Sequence, residues 1–203
     1  MSMAPWLQPI TLEGELVKLV PMLTEHRDAL VSAASDGKLW ELWYTSVPST
    51  DTIDTYMGIA FSEQKAERAL PFAIIDKKTD TVVGSTRYLN ADAKNRRVEI
   101  GATWYAQRVQ RTGVNTECKY LLLKHAFEVL DCIAVEFRTH FHNFPSRNAI
   151  LRLGAKQEGI LRNHRIDEKG VIRDTVLFSI LDSEWNSVKT SLEFKMRRGK
   201  SMP

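Results

Sequence analysis

Between residues 97 and 142 the hydrophobic period of the chain changes twice, from two to about 3.6 and back to two, and no other feature restricts the fold as much. Val98, Ile100, Ala102 and Trp104 alternate with Arg97, Glu99, Gly101 and Thr103, the pattern of a half-buried strand with Glu99, Gly101 and Thr103 on its less apolar face. Residues 110–130, QRTGVNTECKYLLLKHAFEVL, pass from a polar turn with one glycine into a helical pattern. Val114, Cys118, Leu121, Leu122, Ala126 and Val129 fall on one side of it, and Glu117, Lys124 and Glu128 on the other. Val135, Phe137, Thr139 and Phe141 then alternate with Glu136, Arg138, His140 and His142 in another strand. An amphipathic helix between two strands has to lay its apolar side on a sheet.

The flanking sequence fills out that sheet. Residues 15–20 form a short strand stopped by Pro21, and Thr24 caps a helix ending near Gly37. After the aromatic stretch 39–44, a second helix starts near Thr50 with Ile53, Met57, Ala60 and Phe61 at helical spacing. Residues 72–75 and 82–88 flank a polar turn as a hairpin. A short helix over 146–153 closes on Gly154. Residues 159–166 and 171–180 flank a second hairpin turn at 167–170, and residues 182–194 are a final helix. Helices, an antiparallel run, then strand–helix–strand–helix–hairpin predict one mixed α/β domain over 12–184. An N-terminal extension (1–11) precedes it, and a C-terminal helix with a basic, solvated tail (185–203) follows.

At 203 residues the chain is long enough for one sizeable core, and a net charge of +3 is too balanced to point to nucleic acid or an anionic membrane. Cys118 and Cys132 sit in apolar sequence without metal spacing and read as small buried hydrophobes in a reducing, cytoplasmic setting. No apolar run is long enough to cross a bilayer. His140 and His142 share one face without a third ligand at sensible spacing, so no metal is expected.

The turn before the central helix has two readings: a capped helix start, or a set of bare amides holding an anion. A helix start leaves its first amides unpaired and carries partial positive charge. Gly113 permits close approach and unusual dihedrals, Arg108 and Arg111 add positive charge, and Asn115 or Thr116 is a competent cap.

The ordered context resembles the GNAT superfamily of acyl-CoA-dependent N-acyltransferases over about 12–184, most of the chain. Its signature Q/R-x-x-G-x-G/A is matched by Gln110, Gly113 and Asn115, with asparagine in place of the last small residue. The stretches VEIG at 98–101, TE at 116–117, NFPS at 143–146, LGA at 153–155 and EG at 158–159 extend the resemblance to the ribosomal-protein N-terminal acetyltransferase-like branch.

That resemblance implies a mostly antiparallel, splayed sheet flanked by helices. It implies acetyl-CoA as co-substrate and a primary amine as acceptor, either a protein N-terminus or a small molecule. The coenzyme pyrophosphate is then expected on the turn at Gln110, Arg111, Thr112, Gly113, Val114, Asn115 and Thr116, and the pantetheine arm along Thr103 and Trp104. Asn143 holds that arm or orients its loop.

Glu99 is the expected base, with a structural carboxylate paired to Arg97 or Arg87 as the alternative; Glu158 is a second candidate base. Many members place a tyrosine acid four residues before the glycine ending the short helix, and Ile150 stands there instead. Ser146 is the candidate on the thiol side, with capping of the short helix as its alternative role. Trp40, Trp43 and Tyr44 are expected to wall the acceptor pocket, bordered by the turn at 167–170, and each tryptophan also suits core packing. A non-catalytic acyl-CoA-binding or protein-interaction module is the competing function, and a homodimer is compatible with either.

Overall fold

The computed structural model describes residues 6–167 and 170–200, and its core is a single eight-stranded sheet. In chain order the elements are β1 (Leu12–Glu13), β2 (Val17–Pro21), α1 (Arg27–Ser35), α2 (Ile53–Lys65), β3 (Leu70–Asp76), β4 (Thr81–Asp92), β5 (Arg97–Tyr105), α3 (Val114–Glu128), β6 (Ala134–His140), α4 (Phe144–Leu153), β7 (Lys156–Ile166), β8 (Ile172–Leu181) and α5 (Asp182–Lys200). The spatial order is β1-β2-β3-β4-β5-β6-β8-β7. Every neighbouring pair is antiparallel except β5 and β6, whose crossover is α3. The expected α/β class, with helices flanking a mostly antiparallel sheet, is the one observed.

α3 lies on the face carrying Val98, Ile100, Tyr88 and Phe137, and the Tyr88 hydroxyl donates to the Leu122 carbonyl (2.6 Å), fixing helix to sheet. Of its expected polar side, Lys124 and Glu128 are exposed and Glu117 is buried, and a neighbouring helix covers part of it. Trp185, Val188 and Leu192 of α5 are buried, Trp185 stacks on Phe127, and Tyr120 donates to Glu193 (2.8 Å). A second helix layer therefore covers α3.

The basic segment expected to fray continues α5, and the Lys195 ammonium donates to the Arg152 carbonyl (2.5 Å). α5 starts at Asp182, so the expected boundary after 184 falls inside it. Within the expected N-terminal extension, Leu7 is buried, and Trp6 and Ile10 pack on the core. Residues 1–5 and 201–203 lie outside the described residues. Both cysteines are buried as free thiols.

Candidate active site

β5 and β6 pair through only three residues, Arg97 with Ala134, Val98 with Val135 and Glu99 with Glu136. Beyond Glu99 they part, while β5 stays bonded to β4 and β6 to β8. The inner backbone edges of residues 100–104 and 137–140 thus face a gap, where an extended ligand can take the place of a strand.

A β-bulge accompanies the parting. Ala102 adopts a left-handed φ of 47°, and the register against β4 shifts between Ser85 and Arg87. β4 comes so close there that a Cβ on Gly84 would lie 2.2 Å from the Trp104 carbonyl oxygen.

The extra residue reverses the expected alternation after Gly101. Thr103 turns toward α3, where its hydroxyl bonds Thr86 (2.7 Å) and accepts from the Lys119 ammonium (2.5 Å). Trp104 takes the opposite face, its indole N–H donating to the Tyr56 hydroxyl on α2 (3.1 Å).

The turn into α3 is built differently from its expected form. Gly113 has ordinary helical dihedrals (φ −69°, ψ −15°), and the left-handed residue is Arg111 (φ 60°). A Cβ at 113 would lie 2.8 Å from the tip of the exposed Leu16 side chain, which would have to shift to admit it. Neither Asn115 nor Thr116 caps the helix. The Thr112 hydroxyl, one residue before the Gly113 N-cap, accepts from the Val114 amide (3.3 Å) and donates to the Val109 carbonyl (2.6 Å). Gln110 closes the turn onto the strand by donating to the Tyr105 carbonyl (2.9 Å).

Glu117, the carboxylate of the first turn, points away from the helix mouth and into the fold. It accepts from the amides of Glu15 (3.0 Å), Leu16 (2.7 Å) and Val17 (2.9 Å). The mouth keeps the helix-start amides and the exposed Arg111, a combination suited to a pyrophosphate.

Glu99 stands at the fork, on the face away from α3, and is 6% exposed. Neither Arg97 nor Arg87 holds it. Asn90 donates to its carboxylate (2.7 Å), Arg138 of β6 lies 3.4 Å away, and Arg97 pairs with Glu136. Burial raises the Glu99 pKa, partly opposed by Arg138 and Asn90. Gly101, two residues on, leaves room for the carboxylate, since a Cβ there would meet its Oε1 at 2.9 Å. The result is a basic carboxylate on an open strand end.

On the other wall, Asn143 caps α4 by accepting from the Ser146 amide (3.1 Å). The expected alternative for Ser146, capping that helix itself, is therefore taken by Asn143. The half-buried Ser146 hydroxyl makes no hydrogen bond to any described residue. Glu158 is exposed on β7, separated from β5 by β6 and β8, and accepts from the Ser179 hydroxyl. The structure does not bring it to the fork.

Trp43 is 59% exposed and stands edge-on to His140 (5.0 Å between ring centres), with His142 at 5.7 Å. Together with Phe141 and residues 171–174 these three line a cavity of about 250 Å³. Tyr44 touches Trp43, while Trp40 packs against the core. Glu168 and Lys169 of the expected bordering turn lie outside the described residues.

Three side chains at the fork escaped the sequence reading. Lys119 is buried under the gap, and burial pulls its pKa down to about 8. Its helical phase, four residues after Asn115, was the available signal. Arg138 sits on the Glu99 face by simple strand alternation from Glu136. Tyr56 ties α2 to Trp104 and Ser85 and lies under the Arg87 guanidinium (4.1 Å); nothing local to α2 announces that role.

Residues 17–156 match the family model described as "Acetyltransferase (GNAT) domain". The uncharacterized N-acetyltransferase p20 of Bacillus licheniformis is 28% identical over 179 residues, covering 86% of this chain and 98% of its own. A GCN5-related N-acetyltransferase from Brucella melitensis superposes with a TM-score of 0.84 at 30% identity, over 95% of this chain and 87% of that one. Mycobacterium smegmatis RimJ, solved in complex with CoA-disulfide, shares the fold (TM-score 0.78, 23% identity, 95% and 97% of the two chains).

Proposed function

Because the chain belongs to the GNAT acetyltransferase family, we propose that it moves the acetyl group of acetyl-CoA onto a primary amine by direct attack in a ternary complex. The observation that carries this reading is the parting of β5 from β6 immediately after Glu99, which sets a buried carboxylate beside an unpaired strand edge.

The pantetheine arm runs along the open edge of residues 100–104, and the pyrophosphate rests on the amides of residues 111–116. An amine enters from the Glu99 face. As an ammonium it has no lone pair, and Glu99, made more basic by burial, takes its proton directly or through one water. The neutral amine attacks the thioester carbon, and the negative charge moves onto the carbonyl oxygen, which the backbone amides at the open edge can stabilise. Collapse breaks the carbon–sulfur bond and releases a thiolate. The Ser146 hydroxyl, without a partner of its own, gives the thiolate its proton and is reprotonated, through water, by the second proton that the nitrogen sheds as the amide forms.

The test is calorimetry with acetyl-CoA and CoA followed by thiol release over a panel of amines. No binding at millimolar coenzyme sinks the whole reading. Coenzyme binding with no thiol released by any amine leaves a non-catalytic binding module instead.

A further inference from the structure

The cavity beside Trp43 is lined by a guanidinium that the transfer itself does not use. Arg173 of β8 lines it, and its cross-strand partner on β7 is Arg165. Like charges placed directly opposite each other in an antiparallel pair are destabilising. Burial and the Arg165 charge both pull the Arg173 pKa below its ordinary value, with Asp167 opposing them. The Arg173 Nε is buried without a hydrogen-bond partner among the described residues.

Among the described residues, the nearby carboxylates hydrogen-bond or pair with other groups. Asp174 binds Arg162 (2.5 Å) and the Asn163 amide (2.8 Å), and Asp167 accepts from the Val171 amide (2.9 Å). Glu136 binds Arg138 (3.0 Å) and Arg97. A guanidinium that lines a cavity, with a buried Nε lacking a partner and a like charge directly across the strand pair, has the chemistry of an oxyanion site.

We propose that Arg173, with Arg165 beside it, binds a carboxylate or phosphate carried by the acceptor, at a distance from the amine that is acetylated. The register sets that distance. His140 pairs with Thr175, and Arg173 lies two residues farther out on β8, about 7 Å. Measured from the level of Arg138, beside Glu99, the offset is four residues, or roughly 13 Å. An arginine side chain shortens the gap, so the acceptor is an extended amine such as a peptide with an acidic group two to four residues from its N-terminus. A free α-amino acid is too short. Trp43, edge-on to His140 and tilted against His142, covers the stretch between the two ends.

This inference rests on the acetyltransferase reading for the position of the amine, but binding tests it separately. The probes are hexapeptides carrying glutamate, glutamine or phosphoserine at position two, three or four, titrated into the CoA-loaded protein by calorimetry. At one of these positions glutamate or phosphoserine is expected to bind at least tenfold more tightly than glutamine, and the two acidic arms distinguish carboxylate from phosphate. Arg173→Gln is expected to abolish that preference, Arg165→Gln to weaken it, and CoA affinity in both variants to report an intact fold. Equal affinity for acidic and neutral peptides at every position, or no peptide binding at millimolar concentration, overturns the proposal. Thiol release on the same peptides separates the two readings. Charge-selective binding without thiol release defeats the transfer and leaves the oxyanion site standing. Release without charge selection does the reverse.

Discussion

Replacing Glu117 by alanine tests whether the mouth of α3 is held by a contact a hundred residues away in sequence. The Glu117 carboxylate accepts three backbone amides at the start of β2, the Val17 donor buried and the Glu15 and Leu16 donors partly buried. A hydrogen bond to a charged acceptor contributes about 1.5–3 kcal/mol when buried and less when water reaches it. Allowing for the two partly wetted donors, Glu117→Ala should cost about 3–5 kcal/mol. For a chain of this size that lowers the melting temperature by about 10 °C. Glu117→Gln keeps one accepting oxygen but turns an NH₂ toward amide donors, and should lose about half as much.

Gly14 gives an independent handle, since a Cβ there would lie 2.5 Å from the Glu117 Cδ. Gly14→Ala should displace the same carboxylate, and the double variant should lose less than the two single losses combined. Urea unfolding and thermal melts measure the stability, and acetyl-CoA titration shows whether the loosened mouth also binds more weakly. A loss below 1 kcal/mol for Glu117→Ala, or strict additivity with Gly14→Ala, refutes the idea that this carboxylate joins β2 to α3.

Glu99→Gln should lower kcat by about a hundredfold or more while leaving acetyl-CoA affinity unchanged, because a positioned base contributes about that much. Wild-type kcat/KM should fall as pH drops through the raised Glu99 pKa, and the variant should lack that limb; an unaltered profile removes Glu99 as base. Lys119→Met addresses the buried ammonium. Its folded pKa of about 8 lies below the unfolded value of about 10.4, so between these the unfolded chain holds a proton that the folded one has released. Stability therefore rises with pH across that window, on the order of 3 kcal/mol in total, and the burial penalty is fully present below pH 8. The stability gained by Lys119→Met at pH 7 should shrink toward pH 10, as read by urea unfolding at each pH; a constant difference contradicts the buried, easily deprotonated lysine.

What the sequence makes legible, and what it hides, divides by the range of the interaction. Strand alternation from 97 to 101 and from 134 to 140 locates Glu99, Arg138 and the two walls of the gap, because a period of two depends only on neighbours. Alternation fails at Ala102, an ordinary apolar residue whose left-handed φ follows from how β4 and β5 meet, and the faces of Thr103 and Trp104 reverse with it. The Q-x-x-G turn is legible as a turn, yet Gly113 has ordinary helical dihedrals and its close neighbour is Leu16, in the bend before β2 nearly a hundred positions earlier. Glu117 reads as helix surface because its three donors are equally remote. Arg173 and Arg165 look like the solvated charges of a hairpin until the register places them opposite each other and the cavity opens beside one of them. The anionic end of the acceptor is thus a property of tertiary register, and altering either arginine should change which amine is chosen while leaving the coenzyme turn untouched.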